Sequence, residues 1–211
     1  MKISLILADT LRSKEYFKHL IKNNIKPYKV FLYADKKKHT LEKFIKSNGI
    51  QTKFFRSKSI NDIKMFNEIR KTVSRYFVYS GYPGEIVKKN LLKTKNIIHL
   101  HPGLLPNFKG STTMYYSLLL TNKIYCTCLK LNQKIDEGKI MYIQKFKKPY
   151  NLKLLEGKYD NEIRAKTLVN FLIKGKKKNY TQKNNKYESY YIAHPIIRNL
   201  VISKKKLNTL F

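Results

Sequence analysis

Two imidazoles stand two positions apart, His99 and His101, inside the stretch Asn96 to Lys109, NIIHLHPGLLPNFK. Imidazole is the side chain whose proton affinity lies near neutrality, so it is suited to general acid and base work. The apolar residues before it read as a short buried strand. On a strand, residues two apart share a face, so both rings point to one side. Pro102-Gly103 ends the strand, since proline cannot donate to a sheet ladder and glycine admits turn dihedrals. Ligands of open α/β sheets lie beyond the carboxyl ends of the strands. This stretch is therefore the candidate active site.

The same residues carry a resemblance. His101-Pro102-Gly103-Leu104-Leu105-Pro106, with Phe108-Lys109-Gly110 behind it, resembles the His-Pro-Ser-Leu-Leu-Pro…(Arg/Lys)-Gly signature of the folate-dependent formyltransferases. Ile135-Asp136-Glu137-Gly138-Lys139-Ile140 is similar to that family's Asp-x-Gly-x-Ile loop. Alone, a strand-end histidine and an aspartate before a turn glycine are ordinary structural features. Together, in order and at about the family spacing, they form a fairly specific pair.

The resemblance implies formyl transfer from N10-formyltetrahydrofolate to a primary amine, which is acyl transfer. Such a reaction needs a neutral amine, donors for the charge developing on oxygen, and a route for protons. By likeness to the family, His101 donates to that oxygen, and Asp136 orients the imidazole and assists proton removal. His99 stands where the family has an asparagine whose amide donates, so an N–H of His99 is expected to replace it, with a pH limb near neutrality. Ser80-Gly81-Tyr82-Pro83-Gly84 lies where the family has an Ala-Gly-Tyr segment lining its pterin pocket. Gly81, Tyr82, Pro83, Gly84 and Ile86, with Ile135, are the implied cofactor contacts, although a plain β–α turn accounts for the glycines equally well. Lys109, Ser111 and Thr112 belong to a hydroxyl-rich loop at a predicted helix start, able to cap that helix or to hold a polar substrate.

Elements that would position these residues follow from periodicity. Strands are predicted at Lys2 to Ala8, Lys29 to Tyr33, Gln51 to Phe55, Tyr76 to Tyr79, Ile124 to Leu131 and Lys139 to Phe146, besides the histidine strand. Helices are predicted from Arg12 to Asn24 with Asp9-Thr10 as cap and Leu11 on the apolar face. Others are predicted at Thr40 to Ser47, Asn61 to Arg70, Gly84 to Leu92, Thr112 to Leu120 and Asp160 to Leu172. Strand–helix alternation predicts an α/β fold, a mainly parallel Rossmann-like sheet with helices on both faces. A catalytic domain is expected over 1–148. Residues 149–211 are expected to add a helix and a short β extension around Tyr190 to Ile197, with a charged turn at Lys174 to Lys178.

Composition bounds the partners. The chain has 211 residues, 42% of them apolar, and a formal charge of +32. Only six of its 45 basic residues are arginine, the residue favoured for bidentate phosphate and base contacts, and the lysines are spread over the whole length. This argues for a global bias rather than a dedicated nucleic-acid face, while an anionic substrate still benefits from the field. Aromatic residues fall at core periods rather than as exposed stacking repeats. No apolar run is long enough to cross a bilayer, and the amino terminus enters a strand without a secretory layout, so a cytoplasmic protein without membrane contact is expected. Cys126 and Cys128 share a strand face and have no further ligands beside them, so they read as reduced core thiols and no metal is expected.

The substrate follows by elimination within the resemblance. Asp9-Thr10-Leu11-Arg12-Ser13 lacks the Gly-rich phosphate loop that glycinamide ribonucleotide formyltransferases carry there. The tail after Phe146 is short for the barrel domain of methionyl-tRNA formyltransferases. A small anionic amine, an amino sugar on a nucleotide, is the expected acceptor; the alternatives are a basic nucleic-acid-binding or otherwise non-catalytic protein that keeps the fold, or formylation of methionyl-tRNA or glycinamide ribonucleotide.

Overall fold

The computed structural model describes residues 2–35, 40–175 and 188–207. Five strands alternate with helices: β1 (Ile3–Ala8), α1 (Leu11–Lys22), β2 (Lys29–Ala34), α2 (Thr40–Ser47), β3 (Thr52–Arg56), α3 (Ile63–Lys71), β4 (Tyr76–Ser80), α4 (Lys89–Thr94) and β5 (Ile97–His101). After them come β6 (Lys109–Gly110), α5 (Thr113–Thr121), β7 (Ile124–Lys130), β8 (Lys139–Phe146), α6 (Asp160–Lys174), β9 (Ser189–Tyr190) and α7 (Pro195–Leu207). The main sheet has seven strands in the order β3-β2-β1-β4-β5-β7-β8. The first five are parallel; β7 runs antiparallel to β5, and β8 to β7. β6 and β9 pair separately.

Both faces of the sheet are covered, which is why β1 reads ISLILA, a nearly continuous apolar run, rather than alternating with polar residues. Ile3, Leu5 and Leu7 join one core with Tyr16, Phe17 and Leu20 of α1 and Ile163, Leu168 and Phe171 of α6. Ile6 and Ala8 face the other core, with Met65 and Ile69 of α3 and Leu91 of α4. Residues 149–175 thus fill the same interior as the strands; Leu152, Leu155 and Ala165 are wholly or largely buried there. Cys126 and Cys128 are buried in that core as free thiols, and burial pushes the Cys126 thiol up to about 12.

Four expectations need correction. Leu11 is 76% exposed, because α1 starts there and turns its first residue outward. Asp62 rather than Asn61 caps α3, accepting from the amides of Lys64 and Met65. The helix expected from Gly84 begins only at Lys89, since Gly84 is left-handed at φ +75° and residues 82–88 are held as a loop. Beyond Tyr190 the chain is not strand and turn: Pro195 opens helix α7, for which its fixed φ is suited, and Val201 reaches the core. The charged turn expected at Lys174 to Lys178 passes beyond Gly175 outside the described residues.

Candidate active site

The carboxyl ends of β4 and β5 open into a cleft of about 520 Å³. His101 lies buried at its foot, with Asp136 arriving from the β7–β8 loop; Nδ1 of His101 is 3.4 Å from Asp136 Oδ2. Asp136 takes a left-handed conformation (φ 56°), which a short polar side chain tolerates better than most. Its Oδ2 also accepts from the Gly110 amide at 2.9 Å. On the far side of the ring, Nε2 of His101 donates to the Phe108 carbonyl at 2.7 Å. A Cβ at Gly103 would stand 2.7 Å from that Nε2 and 2.6 Å from the Phe108 oxygen, so glycine at 103 leaves the ring its place. Burial holds the His101 pKa below the ordinary value; Asp136 opposes this and Arg164 reinforces it.

His99 lines the same cleft, as alternation along β5 requires. Its Nδ1 is 3.4 Å from the Tyr79 carbonyl, and a carbonyl only accepts, so the proton of the neutral ring sits on Nδ1. Nε2 then carries a lone pair. Burial lowers the His99 pKa well below 6.5, and the cations Arg164 and Arg12 lower it further. The N–H donation expected of His99 from Nε2 would require either the other tautomer or a charged ring, and both lose by this geometry.

Two arginines that the motifs did not single out complete the floor. Arg12, in the first turn of α1, bonds Ser80 Oγ at 3.2 Å and the Gly81 carbonyl. Arg164, on α6, is paired with Asp160 Oδ1 at 2.7 Å and donates to the Leu100 carbonyl. Each lines the cleft. Arg12 was legible as the residue standing where a Gly-rich loop is absent; nothing local marked Arg164, which arrives from 63 positions beyond His101.

One wall consists of Gly81, Tyr82, Pro83, Gly84, Ile86 and Val87. A carboxylate organises it. Glu85 accepts from Tyr79 Oη at 2.8 Å, from Tyr33 Oη, from the Ile60 amide at 2.5 Å and from the Tyr82 amide at 3.3 Å. A Cβ at Gly81 would stand 1.8 Å from Tyr79 Oη, so the absent side chain is the path by which Tyr79 reaches Glu85. Asn61, displaced from its expected capping role, bonds the Ile86 carbonyl and the Lys88 amide and so braces the same loop. Ile86 and Ile135 both line the cleft while staying 57% and 58% exposed, an apolar rim of the sort that receives a flat ring.

The other wall is built by Gly110, Ser111, Thr112 and Ile192. Ser111 and Thr112 therefore reach the cleft. Lys109 does not: it is buried, its Nζ bonds Glu137 Oε1 at 3.1 Å, and it is not among the lining residues. Among the described residues no group of three or more His, Cys, Asp or Glu side chains is arranged to hold a metal ion.

Fold and site together define an α/β protein with a histidine–aspartate pair beyond the ends of a parallel sheet. The family profile described as Formyl transferase matches residues 1–148, and the chain belongs to this family. It is 31% identical over 101 residues to the methionyl-tRNA formyltransferase of Campylobacter lari, a match covering 47% of this chain and 33% of that protein. With the methionyl-tRNA formyltransferase of Finegoldia magna it shares 28% over 135 residues, 63% of this chain and 43% of that one. The matched stretch is thus less than half the length of either. Among solved structures, a sugar N-formyltransferase from Shewanella sp FDAARGOS_354 superposes with a TM-score of 0.63 at 17% identity, covering 96% of this chain and 88% of the other. A formyltetrahydrofolate deformylase from Pseudomonas syringae pv. tomato gives 0.60 at 15%, covering 81% and 59%. At these identities the two superpositions speak for the fold.

Proposed function

We propose that this chain transfers a formyl group from N10-formyltetrahydrofolate to the primary amine of a small anionic acceptor, an amino sugar carried on a nucleotide. The observation that carries the reaction class is the pairing of His101 with Asp136 at the foot of the cleft, in a member of the formyl transferase family. The folate supplies an activated formyl group when bound. The wall of Gly81 to Val87 with Ile86 and Ile135 at its rim fits a flat ring.

The remaining steps belong to the protein. Nε2 of His99 presents a lone pair that can accept a hydrogen of the incoming amine and aim its nucleophilic electrons. The His101–Asp136 pair can take up at Nδ1 the proton the amine loses, where a charged imidazole gains an ion pair. It can return that proton to the folate nitrogen as the bond from that nitrogen to the formyl carbon breaks. Nε2–H of His101 can exchange the Phe108 carbonyl for the transferred oxygen. Arg12 and Arg164, fixed by their bonds to Ser80 and Asp160, favour negative charge developing above them.

The acceptor's anionic character is supported by the Arg12 guanidinium and by the net charge of +32, Arg164 being already paired with Asp160. A second reading, an aminoacylated tRNA acceptor, is favoured by the likeness to methionyl-tRNA formyltransferases and by that same charge. The purified chain, formyl-folate and a panel of nucleotide-linked amino sugars, followed by folate absorbance, tests the proposal. Turnover of a sugar that is only mildly salt-dependent supports it. Turnover of methionyl-tRNA alone, with a steep salt dependence, transfers the assignment to the second reading; no formylation of any amine removes the enzymatic one.

A further inference from the structure

Both groups that hold the histidine–aspartate pair lie on one short stretch of chain, Phe108 to Gly110: the Phe108 carbonyl receives His101, and the Gly110 amide binds Asp136. That stretch is not part of the main sheet. Among the described residues its strand partner is β9, in a parallel register of Lys109 with Ser189 and Gly110 with Tyr190. The pairing is tight. The Ser111 amide donates to the Tyr190 carbonyl at 2.9 Å, and a Cβ at Gly110 would stand 2.2 Å from the same oxygen. The Tyr190 ring stacks on Phe108 with centroids 5.7 Å apart and lies 4.4 Å from Tyr116 of α5. Two residues on, Ile192 enters the cleft wall, and at the next position the Ala193 amide donates to Thr112 Oγ1 at 2.7 Å.

We propose that Tyr190 is a positioning residue for the reaction: clamped between Phe108 and Tyr116, it holds β6 so that one carbonyl and one amide keep His101 and Asp136 in register. It touches neither reacting group. Its influence passes through Phe108 and Gly110, about eighty residues earlier in the chain. A β6 strand of two residues cannot hold itself in place, since a pair this short has little stability without packing on it. The strap is also the acceptor-side wall, so substrate entry and catalytic geometry are set by one segment.

This inference rests on the proposed reaction, and its test has a readout that does not. Tyr190→Ala removes both ring contacts, whereas Tyr190→Phe keeps them, the hydroxyl having no role in the clamp. The His101 ring faces Asp136 on its loop, Arg164 and Asp160 on α6, and His99 on its own strand. Burial is the largest cause of its lowered pKa. Loosening the strap admits water, so in Tyr190→Ala the His101 resonance, followed by NMR across pH, should titrate closer to the ordinary imidazole value than in the wild type. Tyr190→Phe should titrate as the wild type does. In the turnover assay Tyr190→Ala should lower kcat by roughly 10- to 100-fold, the scale of a misplacement of about 1 Å, with KM for the formyl donor little changed. Circular dichroism on both variants excludes global unfolding as the cause. An unchanged His101 titration in a folded Tyr190→Ala protein overturns the proposal, as does a Phe variant as impaired as the Ala one. If the wild type formylates nothing yet the titration shifts, the positioning claim stands and the assigned reaction falls.

Discussion

The two walls of the cleft are held by different means. The wall of Gly81 to Val87 is fixed through one carboxylate, Glu85, with two tyrosine hydroxyls and two backbone amides converging on it. Its partners come from β2, β4 and the loop before α3, elements of the parallel half of the sheet. The wall of Gly110 to Thr112 and Ile192 is fixed by strand addition and ring packing from the far end of the chain. A half-buried carboxylate saturated with donors is expensive to disturb, because every donor loses its acceptor at once. A two-residue strand pair is easier to shift. The wall of Gly81 to Val87 is therefore built as a rigid frame, and the wall of Gly110 to Thr112 as a segment that is easier to displace.

The largest effect is expected at the point where the walls meet, the His101–Asp136 pair. Asp136→Asn is isosteric and still accepts from the Gly110 amide, so the fold and both walls should persist. The charge that draws a proton to Nδ1 is lost, and turnover should fall by on the order of a hundredfold or more. Single-turnover kinetics with a thermal melt check both halves. Near-normal turnover in a folded variant would make Asp136 a turn former and leave the comparison of walls without a catalytic meaning.

The comparison is sharpened at Glu85. Glu85→Gln places an amide N–H₂ among hydroxyl and amide donors, so at least one of the four bonds must fail. KM for the formyl donor should rise by roughly tenfold, and stability should fall by about 2 kcal/mol, the scale of an unsatisfied buried group. The chemical step should be nearly untouched. That is the reverse of the Tyr190→Ala pattern, in which kcat falls and donor KM holds. If the two variants gave the same kinetic signature, the walls would not be separate devices. Steady-state titration of donor and acceptor in turn measures it.

What the sequence made legible divides along the same line. The parallel half was readable because strands buried on both faces are apolar runs and the helices between them show 3.6-residue spacing, as β1, β2 and α3 illustrate. His101, Asp136 and the Gly81 wall stood in short motifs. The rest depends on long-range contact. Arg164 is an ordinary charged residue of an amphipathic helix until the fold carries α6 under Leu100. Tyr190 has no local signature because its partners, Phe108 and Tyr116, are more than seventy positions away. Lys109, next to the signature and basic, invited a substrate role; its neutralisation by Glu137 became visible only when the β7–β8 loop folded back.

The smallest effect is expected at His99, the floor residue between the walls, and it tests whether the ring accepts or donates. Asparagine can accept through Oδ1 as the neutral imidazole does through Nε2, so His99→Asn should retain turnover within about threefold at pH 7.5. His99→Ala loses one hydrogen bond to the amine, worth on the order of 1 kcal/mol or about five- to tenfold in rate. The pH dependence separates the roles. Because the folded-state pKa is pushed well below 6.5, the ring is neutral and accepting through the neutral range. Protonation removes the acceptor only on the acid side of 6.5, so the limb moves below the near-neutral position that an unperturbed imidazole would give. Stability follows the same sign: the unfolded chain binds this proton more readily, so folding weakens as pH drops from 6.5 toward the lowered folded value. His99→Asn should lack that increment in both kcat and melting temperature, leaving only the acid limb of the His101–Asp136 pair. A ring that donates behaves oppositely, with rate rising as His99 gains its proton. A wild-type profile whose activity climbs on acidification below 6.5, and flattens in the Asn variant, would return His99 to the donor role and remove the lone pair from the floor of the cleft.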